Sequence, residues 1–159
     1  DNMMNLEMLF EATEFTGDST YYDIAYQHAL TTLDNHFRED HSSYHVIDYH
    51  PRTGKIRKRN THQGNSDDSA WARGQAWGLY GFTLTYGKTG DKRFLEKAQA
   101  IADFFFTHKN MTADMIPYWD FDAPKIPNEP RDVSAATIAA SALLELMQYD
   151  SENKEKYLG

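Results

Sequence analysis

The stretch His62-Gln63-Gly64-Asn65-Ser66-Asp67-Asp68-Ser69-Ala70-Trp71-Ala72-Arg73-Gly74-Gln75-Ala76-Trp77 carries the densest reactive chemistry in this sequence. It brings an imidazole, amides, carboxylates, a guanidinium and two indoles to a polar loop that runs into a helical pattern, and a helix N-terminus favours anions. Arg73 and Trp77 are four residues apart and share a face on a helix, where a guanidinium can grip a carboxylate while an indole stacks on a sugar ring. Read more plainly, Trp71 and Trp77 are core aromatics and Arg73 pairs on the surface with Asp67 or Asp68. Gly74, Gly78 and Gly81 form a second stripe on which a neighbouring helix or ligand approaches closely, despite glycine's penalty in a helix. Asp67 and Asp68 read equally well as the N-cap of this helix and its neighbour or as residues that orient a site.

The surrounding apolar periodicity is helical. Met4, Leu6, Met8, Leu9, Phe10 and Phe15 lie in a helical window ending at Gly17, and Ser19 is placed to cap a second helix with Tyr22, Tyr26, Ala29, Leu33 and Phe37 on one stripe. The third helix is expected from Trp71 to about Tyr86, capped by Asp67 or Asp68 and stopped at Gly87 and Gly90. A fourth begins near Asp91, with Phe94, Ala98, Ile101 and Phe105 in line, and an Ala-rich fifth runs from about Ser134 to Met147. The polar tail from Ser151 has room to begin a sixth. Thr16-Gly17-Asp18 recurs as Thr89-Gly90-Asp91, 73 residues on (position 89 against 16), and the same offset pairs Ala25 with Ala98 and Ala29 with Ala102. Repeated helical hairpins imply a solenoid or a closed α/α toroid.

Two segments break the pattern. Tyr44 to Arg59, with Pro51-Arg52-Thr53-Gly54 between alternating residues, reads as a short β-hairpin. Met111 to Arg131 holds Pro117, Pro124, Pro127 and Pro130 with Tyr118, Trp119 and Phe121, and so long a loop is a candidate wall or lid of a site.

The 159 residues contain 16 Lys+Arg against 24 Asp+Glu, a net charge of −8, which argues against nucleic-acid binding. No apolar run is long enough to span a bilayer, so no membrane partner is expected. With no Cys, disulfides, thiolate nucleophiles and Cys-held metals are excluded, and the redox compartment stays open. His41, His45, His50 and His62 do not adopt a metal-ligand spacing, so no metal site is expected. Arg52, Lys55, Arg57, Lys58 and Arg59 form a basic run, read as the solvated face of the hairpin or, more sharply, as a contact for sulfated sugar.

His62-Gln63-Gly64, Asp67-Asp68-Ser69 and Trp71-Ala72-Arg73-Gly74-Gln75-Ala76-Trp77 together resemble the signature of the unsaturated glucuronyl hydrolases, glycoside hydrolase family 88. Asp1-Asn2-Met3-Met4-Asn5 is similar to that family's catalytic-aspartate segment, and Arg131-Asp132-Val133-Ser134-Ala135-Ala136 to its late Ala-rich helix. The resemblance implies an all-α fold, part of an α/α toroid of six helical hairpins, with the chain as a single incomplete domain, 1–159, corresponding to about the second half. It implies Asp1 as general acid/base, contacts to the substrate from Gln63, Arg73 and Trp77, and site histidines at His45 and His62. Without the resemblance, Asp1 is simply an acid at the positive end of a helix dipole.

The implied reaction removes a 4,5-unsaturated uronic acid from the non-reducing end of oligosaccharides released by polysaccharide lyases, by hydration of a vinyl ether. No metal or organic cofactor is implied. The implied partners are the unsaturated oligosaccharide and the missing N-terminal half of the barrel, which holds a second essential Asp absent here; the fragment alone is expected to be inactive. The resemblance is to bacterial proteins, with cytoplasm and periplasm both open. The related unsaturated rhamnogalacturonyl hydrolases share the expected barrel, and a non-catalytic helical-repeat scaffold binding carbohydrate or protein is the reading from a different class.

Overall fold

Helix α3 (Ala72–Thr89) is buried along most of its length because its sequence is small or apolar at nearly every turn: Ala72, Ala76, Leu79 and Phe82 have no exposed surface. The computed structural model describes residues 1–158, and around α3 it places α1 (Leu6–Thr16), α2 (Thr20–Asn35), α4 (Lys92–Thr107), α5 (Val133–Tyr149) and the short α6 (Lys154–Leu158). A 3₁₀ turn, Asn2–Asn5, precedes α1, and the strands β1 (Val46–Tyr49) and β2 (Ile56–Asn60) lie between α2 and α3. Helices α1 and α5 and the 3₁₀ turn pack on α3, with α2 and α4 folded back against it. The arrangement is an arc of helical hairpins. Phe10, Leu79, Phe82, Phe94, Ile101 and Leu146 fill its core, each buried side chain of this size stabilising by roughly 1.5–3 kcal/mol. Between them, fully buried Ala25, Ala29, Ala98 and Ala102 allow close helix approach.

The repeat seen in the sequence extends to individual hydrogen bonds. Thr16 and Thr89 donate their hydroxyls to the carbonyls four residues back (2.6 and 2.7 Å) and accept the N–H of Asp18 and Asp91 (3.2 Å each). Gly17 and Gly90 take the left-handed conformation, φ +73° and +68°, which an L side chain rarely adopts. Asp18 and Asp91 then accept the N–H two residues on, at 2.9 and 3.0 Å.

The cap and boundary expectations for α2 and α3 need correction. Neither Asp67 nor Asp68 caps α3: Trp71 is its N-cap, without a side-chain bond, and the carbonyl of Trp119 takes the Ala72 N–H at 3.1 Å. Asp67 instead accepts the Thr61 N–H at 2.8 Å. Ser19 stands at the start of α2, but its side chain caps nothing. Helix α3 runs through Gly87 to Thr89, and Gly87 serves packing: a Cβ there would stand 2.5 Å from the Tyr149 hydroxyl.

The hairpin is as expected, antiparallel with Val46 opposite Asn60, Ile47 opposite Arg59 and Asp48 opposite Lys58, and a bulge follows Asp48. Outside it only isolated bridges occur among the described residues. Apolar side chains are exposed at both flanks of the arc, Met8 (71%), Phe15 (93%) and Ile24 on α1 and α2, and Val133 (59%), Leu144 and Leu158 on α5 and α6.

The glycine stripe of α3 is used at every position. A Cβ at Gly74 would lie 2.9 Å from the Trp71 ring, one at Gly78 3.1 Å from Phe37, and one at Gly81 would collide with both backbone and side chain of Met3 in the 3₁₀ turn. Gly81→Ala in the whole protein is therefore expected to lower stability by about 1–3 kcal/mol of overpacking, outweighing the roughly 0.5–1 kcal/mol that alanine gains over glycine in a helix. Gly87→Ala meets only the end of an exposed tyrosine and should cost much less. Thermal unfolding of the two variants checks the contrast, and a stabilised Gly81→Ala protein would contradict it.

Candidate active site

Resting on the stripe, the first residues close a cavity of about 30 Å³ against α3, lined among others by Asp1, His36, Tyr44, His45, Gly74 and Gly78. It has room for one or two water molecules. Two of the expected site residues, Asp1 and His45, thus face the same space.

His45 is held with unusual definition. Its ring stacks on Trp71 (centroids 4.5 Å apart), and its Nδ1 accepts the backbone N–H groups of His62 and Gln63, each at 3.1 Å. The Thr61 hydroxyl lies 3.3 Å from the same nitrogen. With Nδ1 occupied as an acceptor, the proton of the neutral ring sits on Nε2, making His45 a donor. Burial, followed by nearby positive charge including His62, lowers its pKa below the ordinary histidine value. His62 and Gln63 reach the site through their backbones; their side chains are exposed, with the His62 ring 6.4 Å from His45.

Arg73 lies one link further out. Its guanidinium covers Trp71 at 5.5 Å and binds Asp132, Nε at 3.2 Å and Nη2 at 3.0 Å to the same Oδ2. The partner is therefore Asp132 and neither Asp67 nor Asp68. Asp132 is buried, and its other oxygen caps α5 by accepting the Ala135 N–H at 2.9 Å. Trp77 lines a separate open groove of about 280 Å³ with Met4, Glu7, Tyr80 and Ile138, its ring edge-on to Tyr80 at 5.7 Å. Arg73 and Trp77 are both half-buried, while Trp71 is in the core.

Three supporting residues carried no signal in the periodicity. Arg38 donates to Ser42 Oγ and the Ser43 carbonyl (3.0 Å each) and to the Asp67 carbonyl (2.9 Å), tying together the two loops that bear His45 and His62. Gln75, fully buried on α3, accepts the Ser43 N–H and donates to the His41 carbonyl, both at 2.8 Å. Asp120, also fully buried, accepts the Asn65 N–H at 2.8 Å and the Ser69 hydroxyl at 2.7 Å. The proline-rich loop that carries Asp120 is thus a floor beneath the His62–Ser69 segment.

An arc of helical hairpins with a carboxylate, a neutral histidine and an arginine and tryptophans along one helix belongs to the α/α-toroid class. No protein-family model matches the chain. It is 50% identical over 158 residues to the unsaturated glucuronyl hydrolase of Formosa agariphila, covering 99% of this chain and 39% of that protein. The crystal structure of an unsaturated glucuronyl hydrolase specific for heparin superposes with a TM-score of 0.94 at 51% identity, over 98% of this chain and 43% of that one. A mutant of the Streptococcus agalactiae enzyme complexed with dGlcA-GalNAc6S gives a TM-score of 0.82 at 35% identity, over 98% of this chain and 41% of that one. By sequence and by fold this stretch of chain is similar to a part of the unsaturated glucuronyl hydrolases. It spans about two fifths of the length of the curated relatives it matches.

One wall of the cavity predicts a pH response. Burial first, then the positive charges of His28 and Arg59, lower the His36 pKa to about 4. Because the unfolded ring titrates near the ordinary value of 6.5, the unfolded state binds more protons between these values and stability is lost as pH falls from 6.5 towards 4. The shift bounds the loss at about 3 kcal/mol, and partial exposure of the ring reduces it. Denaturant unfolding of the whole protein across that range should show the decline, and His36→Asn should flatten it; an unchanged slope would remove His36 as the cause.

Proposed function

We propose that the whole protein carrying these residues removes 4,5-unsaturated uronic acid from the non-reducing end of oligosaccharides released by polysaccharide lyases. The observation that carries this reading is the shared cavity of Asp1 and His45 on α3, in a chain related over nearly its whole length to unsaturated glucuronyl hydrolases. Relatives named for unsaturated chondroitin disaccharides and for heparin point to glycosaminoglycan-type substrates.

On this reading the Asp1 carboxyl protonates C4 of the vinyl ether and the resulting cation takes up water at C5, the water's proton returning to the carboxylate. The C5 hemiketal then opens to a ketone, leaving a hemiacetal at C1 that collapses to an aldehyde and releases the partner sugar as its alcohol. His45 offers its Nε2–H to the sugar. Arg73 is prepositioned by Asp132 and keeps Nη1 for the uronate carboxylate, while Trp77 offers its ring in the adjoining groove. His62 and Gln63 sit at the rim. Since the chain carries −8, attraction of an anionic substrate falls to Arg73. Further hairpins of the toroid would cover the apolar flanks and supply the second carboxylate.

The test is loss of enoate absorbance when the whole protein meets an unsaturated disaccharide. Asp1→Asn should lower kcat by about 10²–10⁴-fold with substrate binding retained; activity near that of the unchanged protein would refute the assignment. Arg73→Lys should lower kcat/KM strongly, because a point charge reproduces neither the paired hydrogen bonds to Asp132 nor a planar grip on carboxylate. An unaltered kcat/KM would take Arg73 out of the substrate site.

A further inference from the structure

Five consecutive backbone N–H groups, from Thr61 to Asn65, are taken up by side chains. Thr61 donates to Asp67 at 2.8 Å, His62 and Gln63 to Nδ1 of His45 at 3.1 Å each, Gly64 to the Thr61 hydroxyl at 2.8 Å and Asn65 to Asp120 at 2.8 Å. The turn thus closes on the lone pair of one imidazole. It closes tightly enough to need glycine, since a Cβ at Gly64 would stand 2.5 Å from Thr61 Oγ1 and 3.0 Å from Asp120 Oδ2. A concave row of backbone N–H groups ordinarily holds an anion, and here a ring nitrogen fills it. Thr61 is central to the arrangement. Its N–H and its carbonyl are held by Asp67 and by the Asn60 amide (3.1 Å), while its Oγ1 accepts the Gly64 N–H and lies 3.3 Å from His45 Nδ1. Because Nδ1 already accepts two N–H groups, the hydroxyl turns its proton to it as a third donor. Both the Nδ1–H tautomer and the imidazolium would set one N–H against these donors.

We propose that Thr61 is a positioning residue for the reaction: by closing the turn on Nδ1 it leaves His45 no lone pair with which to take a proton, and Asp1, which lines the same cavity, keeps its proton for the substrate. The inference rests on the functional reading above and adds a residue to it. An ordinary imidazole titrates near 6.5 and an ordinary aspartic acid near 3.9. A histidine with an idle lone pair beside Asp1 would therefore draw the proton off, and the vinyl ether would face a carboxylate. In the Nε2–H tautomer the only lone pair is on Nδ1, where three donors occupy it, and Nε2 remains a donor to the sugar. The charged groups around His45 do not exert this control. Positive charge on His36 in the cavity wall, on His62 at 6.4 Å or on Arg73 over the Trp71 ring disfavours a cation at His45, and ionised Asp1 favours one, but none of them selects the nitrogen that carries the proton. Only donors aimed at Nδ1 do so.

The experiment follows the His45 ring of the whole protein by long-range proton–nitrogen NMR correlation, assigned through its loss in His45→Asn, alongside turnover of an unsaturated disaccharide. The unsubstituted protein should show the Nε2–H tautomer, and a ring protonated on Nδ1 would overturn the inference at once. Thr61→Val, which removes the hydroxyl at nearly constant shape, should raise the ring's pKa by about 0.5–1 unit and lower kcat by roughly 3–10-fold with KM little changed. Thr61→Ser keeps the hydroxyl and should restore both. Thr61→Ala repeats the test with less bulk if the valine variant does not fold. An unmoved ring titration, a moved titration with kcat unchanged, or equal losses in the serine and valine variants would each overturn the inference while the proposed function stands. If the unsubstituted protein hydrolyses no unsaturated disaccharide, the functional reading fails and this inference falls with it.

Discussion

A segment of backbone can rest directly on a helix only where that helix lacks side chains, and α3 is cleared at Gly74, Gly78 and Gly81. The clearance admits Met3, Phe37 and the Trp71 ring, which brings Asp1, the loop after α2 and the support of His45 to a single helix. Each helical glycine costs up to about 1 kcal/mol relative to alanine. The cost is offset by burial of Met3 and of the apolar face of α3. Because α3 is itself packed on both sides, by α4 and α5 and by α1 and the 3₁₀ turn, groups laid on it inherit its rigidity. A catalytic arrangement needs such a fixed base more than it needs any one contact.

The parts that were legible in the sequence were local or periodic. Thr-Gly-Asp could be read as a turn because its hydroxyl, left-handed glycine and carboxylate act within four residues of one another, and the hairpin turn at Pro51 to Gly54 is of the same kind. The glycine stripe announced close approach, although not by what. Illegible parts were polar bonds between distant segments. Arg73 finds Asp132 and Asn65 finds Asp120 more than fifty residues away, and such pairs leave no period in the chain. The expected caps at Asp67 and Asp68 failed because α3 starts only at Ala72, where the carbonyl of Trp119, brought up by the proline-rich loop, takes the first helical N–H. Trp71 and Trp77 show the limit of composition, since one is core under His45 and the other lines an open groove.

Around the cavity the chain avoids unpaired buried charge. Its histidines there are neutral, one with Nδ1 saturated by backbone donors and another depressed by burial, and the fully buried acid Asp120 is surrounded by donors. Groups with spare hydrogen-bonding capacity are therefore few: Asp1 and the Nε2 of His45 at the cavity, and the outer side of Arg73. Against an overall acidic surface such scarcity confers selectivity, because a ligand gains only where its own charges coincide with those few groups.

Asp132 serves two masters with its two oxygens, one fixing the first turn of α5 and the other fixing Arg73 on α3. A rotation of α5 about its start would drag the carboxylate with it and swing the guanidinium by a comparable amount. Helix α5 also carries exposed Val133 and Leu144, so whatever packs on that flank bears on the same lever. Assembly at the edge of the arc and alignment of the arginine at its centre are mechanically geared, and an imperfectly seated neighbour would register as a misdirected side chain before it registered as lost stability.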